Sequence, residues 1–132
     1  MEVTASIHLV GEKRIRELNK KYRKQNKVTD VLSFPLCEIR EIRDKRDKEI
    51  GDVFLCVPRI KKQARKYGVC FEEEFCRMLT HGVLHLLGFD HKNKKEAKKM
   101  FDLQERIVKQ LSVNQDYQKF VIMNFQRFAQ SF

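Results

Sequence analysis

Three of the four histidines crowd into one short run, His81-Gly82-Val83-Leu84-His85-Leu86-Leu87-Gly88-Phe89-Asp90-His91. On a helix, a spacing of four puts His81 and His85 on one face, one turn apart. Their imidazoles can then share a single metal ion. Gly88 lets the helix end in a left-handed conformation and the chain reverse, so that His91 can return as a third ligand. Three neutral imidazoles with one open coordination position form the donor set of a catalytic zinc site. Zinc lowers the pKa of bound water to about 7, which supplies hydroxide at neutral pH. The competing reading is three core histidines, each satisfied separately. In so apolar a stretch each ring would need its own polar partner, whereas one ion serves all three. The expectation is one zinc ion per chain, although ligand type alone leaves nickel and iron open.

The spacing is that of the metzincin proteases, His-Glu-x-x-His-x-x-Gly-x-x-His. One position departs from it. The protease general base follows the first histidine, and here that position is Gly82, which cannot take a proton. Peptide hydrolysis by the zinc-and-glutamate route is therefore disfavoured. Asp90 is the nearest alternative carboxylate and the candidate catalytic base. Its other roles would be to support a ligand or to cap the turn downstream of the helix.

The residues around the histidines read as a central helix. Phe71 to Leu87 begins with Glu72, Glu73 and Glu74, where the helix dipole favours negative charge, and Gly88 suits its end. Phe75, Met78, Leu79, Val83, Leu84, Leu86 and Leu87 leave it little polar face, which marks a buried helix. Strands are expected over 3–10, 30–34 and 50–57, the last apolar on both faces after Asp52 and therefore interior. Ile15, Leu18 and Tyr22 give helical spacing over 12–23. Pro58 at a first helical position and Gly68 at a cap bound a basic helix over 58–67. Asn93 and Glu96 form a capping box that opens a helix over 94–111. Residues 37–49 fit either a loop or a solvated helix. Tyr117, Phe120, Val121, Phe125 and Phe128 form a stripe on a last helix over 115–129.

At 132 residues the chain is sized for one domain, and 42% hydrophobic residues suffice for a core. No apolar run approaches the ~20 residues of a membrane span, and no secretory signal is visible at the N-terminus. Among the four cysteines there is no Cys-x-x-Cys pair, so all four are expected to be reduced and structural, in a cytoplasmic protein. The 28 basic against 18 acidic residues give a net charge of +10, which favours a polyanionic partner, whether RNA, DNA or an acidic membrane surface, against the plainer reading of a basic surface kept for solubility. The basic residues cluster at 20–27, 61–66 and 92–99. If they rim the metal cleft, they form a phosphate-binding track. Tyr67 and Phe89 are the rings available to stack on unpaired bases, too few to specify a sequence.

Together, three blocks resemble the YbeY family of bacterial endoribonucleases. They are the run His81 to His91, Tyr22-Arg23 followed by Val28-Thr29-Asp30-Val31-Leu32-Ser33-Phe34-Pro35, and Gly51-Asp52-Val53. The resemblance covers about residues 3 to 111. It implies an α+β, zincin-like single domain: a small mixed β-sheet packed with helices around a central metal-binding helix. It also implies one zinc ion and cleavage specific to single-stranded RNA. The implied biological roles are maturation of rRNA, notably the 3′ end of 16S rRNA, and ribosome quality control, with the ribosome or its proteins as partners and no membrane partner. The family's metal ligands carry over onto His81, His85 and His91, and its functional arginine onto Arg23. A guanidinium at Arg23 would offer a planar fork to a phosphate; otherwise it is one more cation on a basic helix.

Two departures accompany the resemblance. Family members usually carry a further strand and helix ahead of the segment matching Val3 to Val10. Residues 112–132 lie past the family pattern, so the chain divides into a catalytic unit, 1–111, and an aromatic helical extension, 112–132, packed on it. A dimer or partner contact through Phe120, Phe125 and Phe128 is the alternative use of that extension. The alternative to the whole enzymatic reading is a metal-stabilised ribosome assembly factor without turnover. A metallopeptidase is opposed by Gly82.

Overall fold

The computed structural model describes residues 4–36 and 49–113. The segment 37–48, including Cys37, and the expected C-terminal helix lie outside them. In chain order the elements are β1 (Thr4–Val10), α1 (Glu12–Arg23), β2 (Val31–Pro35), β3 (Glu49–Cys56), α2 (Val57–Tyr67), α3 (Phe71–Leu86) and α4 (Lys94–Val113). Among the described residues the sheet has the order β1-β3-β2, with β3 parallel to β1 and antiparallel to β2. This is the small mixed sheet expected of the α+β class, with the doubly apolar strand at its centre.

The period of two sorts each strand between two cores. Leu9, Val53 and Leu55 face α2 and α3, where they pack with Ile60, Phe75, Cys76 and Leu79. Leu32, Phe34 and Cys56 face the other way, onto Ile15 and Leu18 of α1. The sheet is thus sandwiched, and α3 lies directly on it. Each fully buried Leu, Ile, Val or Phe contributes about 1.5–3 kcal/mol, so these two layers hold α3 in place.

Local signals set the helix ends. Gly68 takes φ +67 after α2, whose start carries Pro58. The Glu96 N–H donates to Asn93 Oδ1 at 2.9 Å, which caps α4. The thiols of Cys56 and Cys76 are buried, and burial pushes that of Cys76 up to about 12. Both behave as small apolar side chains. Cys70 departs from the expectation: it is exposed, because it occupies the cap position where the chain enters α3.

Candidate metal centre and its cleft

His81 and His85 project from the last turns of α3, with ring centroids 4.6 Å apart. Gly88 then takes φ +99. Its N–H bonds to the His85 carbonyl at 3.1 Å, and the Phe89 N–H to the Leu84 carbonyl at 3.0 Å. This reversal carries His91 back to the pair, 5.1 Å from the His85 ring and 6.2 Å from the His81 ring. One nitrogen from each imidazole lies within 4.8 Å of the other two. The turn itself is fixed by Asp90, whose carboxylate accepts the His91 backbone N–H at 2.7 Å.

The protonation pattern of the rings tests whether a cation fits. His85 Nδ1 lies 3.0 Å from the Phe89 carbonyl oxygen. A carbonyl can only accept, so Nδ1 carries the proton. His81 Nδ1 lies 2.8 Å from Gln104 Oε1, while the Gln104 amide N–H donates to the Glu105 carboxylate at 3.1 Å. That orientation again puts the ring proton on Nδ1. Both Nε2 atoms are then bare lone pairs, and they face each other at 3.1 Å. Two acceptors at that distance repel unless a positive charge lies between them. Two tetrahedral zinc ligands at 2.0–2.1 Å would stand about 3.3 Å apart, so the donor set fits a metal ion. Burial holds His85 below the ordinary histidine pKa, and the adjacent His81 pushes it the same way, against the Phe89 hydrogen bond. That direction favours the neutral ring, the form a metal ligand takes.

The three histidines form one wall of a cleft of about 680 Å³. Arg23, at the end of α1, lines the same cleft. Its guanidinium stacks 4.6 Å from the Phe34 ring centre and donates to the Ser33 carbonyl at 2.7 Å. Ser33 also reaches α3, its Oγ donating to the Gly82 carbonyl at 2.9 Å. Thus β2 connects Arg23 to α3. The block preceding Ser33 shapes the approach: Asp30 Oδ1 accepts from the Val31 N–H at 2.9 Å and Thr29 Oγ1 at 3.1 Å, while Oδ2 accepts from Gln63 of α2 at 3.0 Å.

Gly82 owes its identity to packing. A Cβ there would meet Val53 Cγ1 at 2.6 Å and Ser33 Oγ at 3.0 Å. The position faces the sheet, so the absent protease glutamate has no room. Gly51 is comparable, since its Cβ would lie 2.3 Å from the Phe34 carbonyl oxygen. Asp52 sits on the sheet face opposite α3, where it is paired with His8 at 2.9 Å, so this block serves the scaffold.

Of the basic clusters, Lys27 lines the cleft, and Lys92 and Lys99 line an adjoining hollow that shares Gly88, Phe89 and Asp90 with it. The cluster at 61–66 is directed elsewhere: Lys62 pairs with Glu12 and Lys61 lies over Phe71. Phe89 lines the cleft. Tyr67 does not; it is exposed at the end of α2, beneath Lys66. The spacing of the histidines gives no hint of Gln104. The available signal is its place between Met100 and Val108, a polar residue at helical spacing inside a buried stripe.

Fold and site together define a class: an α+β protein that gathers three histidines in a cleft also lined by Arg23 and Lys27. Within that class, a family description reading endoribonuclease YbeY matches residues 1–112. The endoribonuclease YbeY of a Sulfurihydrogenibium species is 46% identical over 111 residues, covering 83% of this chain and 71% of the relative. That of Ureaplasma urealyticum is 38% identical over 109 residues, covering 83% and 68%. A Thermotoga maritima protein solved in solution superposes with a TM-score of 0.60 at 32% identity, over 87% of this chain and 72% of that one. The chain belongs to the YbeY endoribonuclease family, and its enzymatic class is that of a hydrolase. Among the described residues no helix is long and apolar enough to cross a membrane.

Proposed function

We propose that the chain is a zinc-dependent endoribonuclease acting on single-stranded RNA, with His81, His85 and His91 holding one zinc ion. The observation that carries this is the pair of Nε2 atoms 3.1 Å apart, each on a ring whose Nδ1 already faces an acceptor oxygen. Bound there, the ion would supply Lewis acidity toward a phosphate oxygen or a water molecule. The remaining work belongs to the chain. Arg23 is held over the cleft by Phe34 and Ser33, where its charge balances negative charge growing on the scissile phosphate. Lys27, Lys92 and Lys99 line the path of the flanking phosphates. Asp90 keeps His91 in place through the backbone rather than by taking a proton. With Phe89 as the cleft's stacking ring, the reading entails weak sequence preference.

The substrate in the cell would be rRNA, notably the 3′ end of 16S rRNA, met in the cytoplasm on or near the ribosome. That assignment, with the role in ribosome quality control, rests on family membership. The test is purified protein on a single-stranded RNA, with and without chelator, beside His81→Ala and Arg23→Ala. Cleavage should vanish with chelator, return with zinc and be lost in both variants. Tight zinc binding without cleavage would favour the assembly factor instead. End-group analysis identifies the nucleophile: a 2′,3′-cyclic phosphate means the ribose hydroxyl attacks first, whereas a 3′-hydroxyl opposite a 5′-phosphate means water does.

A further inference from the structure

The imidazoles are only half of the metal centre; a chain of side chains behind His81 selects its tautomer. We propose that Gln104 is a positioning residue whose amide, oriented by Glu105 and Arg77, forces the His81 proton onto Nδ1 and leaves Nε2 free for the metal. The proposal rests on the metal reading above. Gln104 is only 5% exposed, on the inner face of α4. Its Oε1 faces His81 Nδ1 at 2.8 Å and its Nε2 faces Glu105 Oε2 at 3.1 Å. An ionised carboxylate only accepts hydrogen bonds, so the NH₂ end of the amide must face Glu105. Glu105 is gripped in turn by Arg77, with contacts of 2.9 Å from Nε and 3.1 Å from Nη2. Arg77 is anchored on α3 by the buried Glu74 at 2.8 Å.

Reversing the amide would set its NH₂ group against His81 Nδ1. The ring proton would then move to Nε2, directly in front of His85 Nε2, and block the ion. The cluster Arg77–Glu105–Gln104 therefore does more than join α3 to α4. It supplies the ligand's outer hydrogen bond, a kind of contact whose loss costs metal affinity roughly 10–100-fold.

Two measurements on the full chain test this. The first is zinc affinity by competition with a chromophoric chelator, for wild type, Gln104→Leu, Gln104→Glu and Glu105→Gln. Gln104→Leu should weaken binding roughly 10–100-fold. Gln104→Glu keeps an acceptor facing Nδ1 but sets a second carboxylate against Glu105, so it should bind zinc more tightly than Gln104→Leu while lowering the Tm. Glu105→Gln should fall between wild type and Gln104→Leu, because the amide then has no fixed acceptor. The second is ¹⁵N NMR of the metal-free wild type, which should show His81 protonated at Nδ1. Unchanged affinity in Gln104→Leu, or a proton on Nε2, would overturn the proposal. If the wild type bound no zinc, the functional reading would fall, and the NMR tautomer would still decide this one. It also decides should Gln104→Leu fail to fold.

A different observation carries a second proposal. An apolar groove of about 420 Å³ runs between β1, α3 and α4, lined by Ile7, Leu79, Val83, Leu87, Ile107 and Leu111. Leu87 is 51% exposed there. We infer that residues 114–132 of this same chain fill the groove with Phe120, Phe125 and Phe128. Leu111 lines the groove two residues before α4 ends at Val113, so the remaining chain starts within one helical turn of a groove residue. The nineteen residues that follow would span roughly 28 Å if helical, long enough to lie along it. In the full chain, Leu87→Arg and Phe125→Ser should each lower the Tm, and their combination should cost less than the sum. A photo-crosslinker at position 87 should form an adduct within 114–132 of the same molecule. Additive losses, or crosslinks only between copies with a dimer by light scattering, would overturn the assignment.

Discussion

Two histidine-bearing regions occupy opposite faces of the same sheet, and they solve the burial of an imidazole differently. On the α1 face, His8 has private partners. Its Nε2 bonds Asp52 Oδ1 at 2.9 Å, and its ring stacks on Phe54 with centroids 4.4 Å apart. On the α3 face, His81 and His85 also have private partners, but only for Nδ1. Their Nε2 atoms are turned inward on each other. A histidine that serves the scaffold spends its ring nitrogen on the scaffold. His81 and His85 are tethered at one nitrogen, which leaves the other presented to the shared space between them.

That contrast breaks most severely at the ligands. His85→Ala should reduce zinc affinity by more than the roughly 10–100-fold expected from losing a ligand's outer hydrogen bond, and RNA cleavage should fall to background. Equilibrium competition with a chelator measures the first and a fluorescent oligonucleotide the second. Retained affinity would mean that the two Nε2 atoms do not share an ion.

The next effect separates holding the metal from handling the phosphate. Arg23→Lys keeps the charge but loses the planar fork and the stacking on Phe34. Cleavage should drop roughly 100-fold, the scale on which a single donor to transition-state charge contributes. Zinc affinity should stay unchanged. A parallel loss of both would show that Arg23 acts by holding β2 against α3 through Ser33.

The histidine trio was legible in the sequence because helical spacing and a glycine stop are local properties. So were the ends of α2 and the cap of α4, where Pro58, Gly68 and Asn93 act within a few residues. Gln104 was not legible. Its role depends on α4 lying against α3, a contact between residues 23 positions apart. Gly82 was legible as an absence, the missing protease carboxylate, but its cause was not: Val53 and Ser33 reach it only once the sheet is assembled. The basic clusters were misleading in part, since charge density does not reveal direction. The run at 61–66 turns away toward Glu12 and Phe71.

Gly82 sharpens the comparison because it sets how closely the ligand helix approaches the sheet. Gly82→Ala gains helix propensity, about 1 kcal/mol. Its Cβ would also meet Val53 Cγ1 at 2.6 Å, and overpacking of that kind costs about 1–3 kcal/mol. The clash should win, because Val53 is wholly buried and has little room to yield. The expected outcome is a lowered Tm together with weakened zinc binding, since His81 is the adjacent residue. A raised Tm would mean that α3 is free to shift away from β3.

The smallest effect lies on the other face. His8→Ala removes a hydrogen bond to the buried Asp52 and the stacking on Phe54. Bonds to charged groups contribute about 1.5–3 kcal/mol when buried. The His8 side chain is 36% exposed, so water can replace part of the contact, and a loss of about 1 kcal/mol is expected in urea unfolding. Zinc affinity should not move, because β3 and a layer of apolar side chains separate this pair from α3. The variant therefore serves as a control for the ligand substitutions: it removes an imidazole from the same sheet without touching the shared site. If zinc binding fell with it, the two faces would be coupled through the sheet, and the division between scaffold and ligand histidines would fail.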